Sequence, residues 1–200
     1  MTYGIVPWTS FMPERSSDTR SLTGKVTSAR TIDIPNNFRQ TPFDSGAYNI
    51  SAIFSAMDKN IPTRDIIRKN RLKLIPDVGV LPEVLHTTME SYGVSSRVRT
   101  FRWLNSDEKT DTIKYLLDLN APIIALVRRH GYLHYITLTG FDDDTVYFYD
   151  PLLVEDFDGI TIDNTDDISG NDSLSFDEFI DIWNQAYYSG FYKNMAIIIE

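Results

Sequence analysis

HYITLTGFDDDTVYFYDP, residues 134–151, reads as a β-hairpin, and together with QTPFDSG at 40–46 it decides the fold and the candidate chemistry. His134, Ile136 and Leu138 alternate with Leu133, Tyr135, Thr137 and Thr139, the period of a strand whose two faces are both largely buried. The acidic turn Asp142-Asp143-Asp144 leads into Val146-Tyr147-Phe148-Tyr149, a second strand that ends at Asp150-Pro151. A hairpin of this length brings the start of one strand beside the end of the next. His134 and Asp150 are therefore expected as neighbours, a base with an orienting carboxylate.

The earlier segment supplies a partner for that base. After Ser45-Gly46 the apolar residues Ala47, Ile50, Ile53, Phe54 and Met57 recur at helical spacing. Asp44 is expected as N-cap, which puts Ser45 in the first turn, where unpaired N–H groups and the helix dipole favour developing negative charge. Gly46 is expected to keep bulk away from an approaching substrate, and Gln40 to donate its side-chain amide to an oxyanion.

These residues resemble the papain-like cysteine peptidases that cut leader peptides from bacteriocin precursors after a double glycine. In that family a Gln precedes Asp-Cys-Gly at a helix start, and a His on a strand is followed by a Gly-Phe/Tyr-Asp turn and an Asp-Pro pair. The resemblance covers roughly residues 32–199. It implies Ser45 at the nucleophile position, His134 as base, Asp150 as orienting acid and Gln40 as oxyanion donor. Serine stands where the family has cysteine, and the spacer from Gln40 to Ser45 is one residue shorter than in papain-like enzymes. The implied fold is α+β, an N-terminal helical lobe packed on a C-terminal antiparallel sheet, with the active-site groove between them.

The serine changes the chemistry expected. A thiol can be held as a thiolate beside an imidazolium before substrate arrives, whereas a hydroxyl needs concerted proton removal and a tightly placed oxyanion hole. Three readings follow in order. The first is a thiol peptidase or related acyl-transfer enzyme acting on a peptide through an acyl-enzyme at position 45, present here in an inactivated form. The second is a catalytically silent relative that binds a peptide in the same groove, and the third a natural serine hydrolase on this scaffold. The joint presence of His134, Asp150 and Gln40 favours the first, since a silent domain needs neither a base nor its orienter.

Composition sets the outer limits. With 200 residues, 42% hydrophobic, the chain can bury one sizeable core. No apolar run reaches the length of a membrane span, and the first twenty residues lack a basic segment followed by an apolar one, so a chain unprocessed from Met1 and a cytoplasmic location are expected. Zero cysteines exclude disulfides and thiolate metal sites. The net charge of −9 disfavours nucleic acid as a partner. Between His130 and Tyr192 there is no Lys or Arg, while half of the 28 acids lie there. That asymmetry reads as two solvated faces of opposite sign, or more sharply as an acidic cleft that attracts a basic peptide segment.

The remaining pattern orders the elements. Residues 1–31 read as an extended N-terminal arm and 32–200 as the folded domain. Helices are expected at 45–57, 63–70, 80–92 and 106–119, and strands at 94–101, 123–127, 133–139 and 145–149. The polar, acidic stretch 152–174 reads as a long loop with spacing unlike an EF-hand, and at least one of this loop and the arm is expected to border the groove. Ser175 and Glu178 form a capping box that opens a last helix, and a strand at 195–199 closes the chain. His130 and His134, four apart but separated by Gly131 in a strand context, do not make a metal pair, and His86 reads as a helix-flank residue. No cofactor is implied.

Overall fold

The structure, a computed structural model, describes residues 30–32, 34, 44–70, 79–129, 131–151, 172–188 and 192–200. Helices α1 (Ser45–Ala56), α2 (Thr63–Asn70), α3 (Pro82–Ser91), α4 (Ser106–Asp118) and α5 (Phe176–Asn184) surround strands β1 (Arg30–Thr31), β2 (Ser96–Thr100), β3 (Ile123–Arg129), β4 (Tyr132–Phe141), β5 (Thr145–Tyr149), β6 (Asp172–Ser175) and β7 (Met195–Ile199). The sheet runs in the order β2-β7-β3-β4-β5-β6, with β1 paired to the far end of β4, and every described pairing is antiparallel. This is the expected α+β architecture, a helical N-terminal half on an antiparallel sheet.

Helices cover the sheet on both sides, and the strand sequences show why. Ile124, Leu126, Tyr135, Tyr149 and Ile197 point into one core with α1, α2 and α3. Ile123, Ala125, Val127, Ile136, Leu138, Phe148 and Ile198 point into a second core with α4 and α5. Strands buried on both faces read as unbroken apolar runs, as Ile123–Val127 and Met195–Ile199 do. Trp183 anchors the second core against Phe101 and Phe179, and its indole N–H donates to Met195 O (3.1 Å). Lys109 Nζ donates to Asn184 Oδ1 (2.7 Å) and Asn194 Oδ1 (3.2 Å), fastening α4 to the end of α5.

Local signals end the helices where expected. Gly93 (φ +72°) and Asn120 (φ +55°) take the left-handed conformation just past α3 and α4. The Ser175–Glu178 capping box opens α5, and a second box, Asn105–Glu108, opens α4. Asp142 Oδ1 accepts from the Asp144 and Thr145 N–H groups while Oδ2 accepts from the Tyr147 hydroxyl. With that hydroxyl bond as the main cause, the Asp142 carboxyl titrates below its ordinary range. Its negative charge is therefore spent on closing the hairpin.

Two short strands depart from the sequence expectation. Residues 172–174, read as loop, begin β6, which pairs with β5 through Phe148↔Asp172 and Val146↔Leu174. Arg30 and Thr31, read as the end of the arm, pair with Phe141 and Gly140. Both segments are too short and too polar to announce themselves by periodicity, because their partners are backbone groups. The rest of the arm and of the acidic stretch lie outside the described residues.

Candidate active site

The β4–β5 ladder ends at Thr137↔Tyr149, and Asp150-Pro151 follows at once. Proline has no N–H to extend a ladder, so the first half of β4 is left without β5 beside it. The start of α1 takes that place. Tyr135 N–H donates to Ser45 Oγ (3.2 Å), and Asn49 Nδ2 donates to Tyr135 O (2.8 Å) and to Ser45 O (2.8 Å). Thr137 Oγ1 donates to Asn49 Oδ1 (2.5 Å), which fixes which way that amide points. Tyr135 also donates its hydroxyl to Val80 O (2.7 Å). Burial, then the charges of Glu83 and Tyr192, holds that phenol well above its ordinary value, so it remains a neutral donor.

His134 sits one residue from this junction. It stands opposite Val127, on the α4 and α5 face of the pleat, whereas α1 packs against the other face. Ser45 reaches the strand at its edge, through the N–H of the residue that follows His134. His134 Nε2 is bonded to Asp150 Oδ1 at 2.6 Å, so the hairpin does make these two neighbours. Nδ1 is buried and makes no hydrogen bond, so none joins it to Ser45. Ser45, His134 and Asp150 are 2%, 1% and 2% exposed, which makes each of their polar atoms costly to leave unpaired. Gln40 and His130 lie outside the described residues.

Two features of α1 differ from the sequence expectation. Asp44 occupies the N-cap position with helical dihedrals (φ −96°, ψ −5°), and its side chain makes no capping bond, which needs an extended backbone there. Gly46 faces not an open approach but α3, since a Cβ on it would lie 2.8 Å from Leu85 Cδ1 and 2.9 Å from Cδ2. Leu85 is fully buried and has little room to yield. Gly46→Ala should accordingly destabilise the fold by about 1–3 kcal/mol through overpacking. Urea unfolding checks this, and an unchanged midpoint would show that Leu85 relocates freely.

Asn49 and Arg129 are site residues that the sequence pattern did not single out. Asn49 is the polar interruption on the buried face of α1, four residues after Ser45, and that interruption was the available signal. Arg129 ends β3 and bonds Asp150 Oδ2 through Nη1 (2.5 Å) and Asp172 through Nη2. Nothing in its spacing names those partners. Among the described residues no group of three or more His, Asp or Glu side chains lies together as a metal site would require. Nor is any described helix long and apolar enough to cross a membrane.

No family model matches the sequence, and no curated protein matches it. Solved structures do match. A double glycine motif protease from an AMS/PCAT transporter, in complex with its leader peptide, superposes with a TM-score of 0.55 at 13% identity, over 84% of this chain and 93% of that one. A protein from Bacillus anthracis described as a C39-like peptidase superposes with a TM-score of 0.58 at 11% identity, over 86% of this chain and 98% of that one. The chain thus has the papain-like fold of C39 peptidase domains.

Proposed function

We propose that this domain is a papain-like thiol peptidase or related acyl-transfer enzyme that handles a peptide at position 45, with serine in place of the cysteine nucleophile. In this reading the peptidase-like domain takes in Arg30 and Thr31, which pair with β4, and the arm is what precedes them. The observation that carries it is the pairing of His134 Nε2 with Asp150 Oδ1, which leaves the buried Nδ1 without a partner one residue from the strand position that Ser45 touches. An imidazole oriented by a carboxylate through one nitrogen is a base through the other. His134 takes the proton from position 45 as the nucleophile attacks, then returns it to the leaving amine. The first-turn N–H groups of α1, together with Gln40, hold the oxyanion.

A second reading rests on the serine itself. Ser45 Oγ accepts a hydrogen bond from Tyr135 N–H and is tied into the α1–β4 junction rather than bonded to the base. A hydroxyl so placed suits a domain that holds a peptide without cutting it.

Peptides carrying a double glycine, the motif in the name of one structural neighbour, separate these readings. Ser45→Cys protein should cleave such a peptide after the second glycine, seen as two product masses, while the Ser45 chain leaves it intact. Binding without cleavage by both proteins would favour the silent module. Cleavage by the Ser45 chain would identify a natural serine hydrolase.

A further inference from the structure

We propose that Arg129 is a positioning residue for the His134–Asp150 pair, one that both fixes the carboxylate and limits how firmly the imidazole holds its proton. This rests on the reading of position 45 and His134 as nucleophile and base. Asp150 is 2% exposed, and a carboxylate so deep must be paired to persist as an ion. Its two oxygens are divided between partners, Oδ1 to His134 Nε2 (2.6 Å) and Oδ2 to Arg129 Nη1 (2.5 Å). The second guanidinium nitrogen bonds Asp172, and the guanidinium carbon lies 5.1 Å from the centre of the Phe148 ring. A planar guanidinium held on two edges and one face fixes the plane of the carboxylate it meets, which a lysine ammonium cannot do.

The charges along this row determine its effect. His134, Asp150, Arg129 and Asp172 form one continuous line across β4, the end of β5, β3 and β6. With His134 neutral the other three groups sum to one negative charge, and an imidazolium cancels it. Without Arg129 the imidazolium would face two uncompensated carboxylates and would be retained at higher pH. Burial alone would disfavour the guanidinium charge, but Asp150 and Asp172 more than offset it, so Arg129 remains charged throughout. β3 sets the apolar Val127 opposite His134, and α1 brings Asp44 beside Ser45. The sheet-facing residues of α4 and α5 include Ile113, Leu116, Phe179 and Trp183, while Asp177, Glu178 and Asp181 are exposed.

The test follows iodoacetamide alkylation against pH in Ser45→Cys protein, with Arg129→Gln, Arg129→Lys and Asp172→Asn added singly. A thiolate stabilised by the His134 imidazolium gives a rate that falls on the acid side where the pair takes up its proton. Arg129→Gln should move that acid limb up by about one pH unit, and Arg129→Lys, which keeps the charge, should hold it within roughly a few tenths. Asp172→Asn should move it down. A limb that stays in place in Arg129→Gln, with only the melting temperature lowered, would mean that Arg129 is merely structural. Equal shifts in the Gln and Lys variants would also overturn the charge role. Should Arg129→Gln not fold, Asp172→Asn decides by its sign, since that side chain is 39% exposed. A Ser45→Cys protein whose reactivity does not change on His134→Ala would remove the nucleophile–base reading and this proposal with it, an outcome distinct from all the others.

Discussion

Replacing Asn49 with leucine should cost about 2–4 kcal/mol of stability in urea unfolding, the cost of leaving several buried polar groups unpaired. Asn49 is fully buried, and its amide satisfies Ser45 O, Tyr135 O and the Thr137 hydroxyl together. Leucine matches its size but none of these bonds. The loss should be local as well as global. Amide exchange at Tyr135 should accelerate more than at Ala125 in the sheet centre, because Asn49 clamps α1 to the part of β4 beyond its pairing with β5. A change below about 1 kcal/mol, with exchange at Tyr135 unaltered, would show that the clamp contributes little and that α1 is positioned by its apolar contacts alone.

The elements legible in the sequence are those whose side chains report their own burial. α4, for which 106–119 was expected, spans Ser106–Asp118, and β5 and β7 match the expected 145–149 and 195–199. Each has an apolar period and a local stop, such as Asn120 past α4. The His134–Asp150 pairing was legible for a related reason, since strand and turn lengths fix the register of a hairpin. β1 and β6 were not, because four residues or fewer, held by backbone bonds, carry no period. Asn49 and Arg129 escaped differently. Their partners lie 86 residues away in Tyr135 and 43 away in Asp172, and a polar residue gives no sign of which distant groups it will satisfy. The role foreseen for Gly46 failed on the same count, since the space beside it is filled by Leu85 from another helix.

The central claim is that the chemistry of position 45 is governed by His134, although the two side chains come from opposite faces of the sheet and share no hydrogen bond. A cysteine placed at the start of α1 gains from the helix dipole alone, so a reactive thiol by itself would not establish the point. The decisive comparison is the iodoacetamide alkylation rate near pH 6 of Ser45→Cys against Ser45→Cys/His134→Ala. A free thiol of pKa about 8.5 is almost wholly protonated there, so an imidazolium-stabilised thiolate should react on the order of tenfold faster or more. His134→Ala should remove most of that excess, and Asp150→Asn a smaller part. Alkylation no faster than a free thiol, with or without His134, would contradict the account and leave the chain a peptide-binding module with a peptidase's fold.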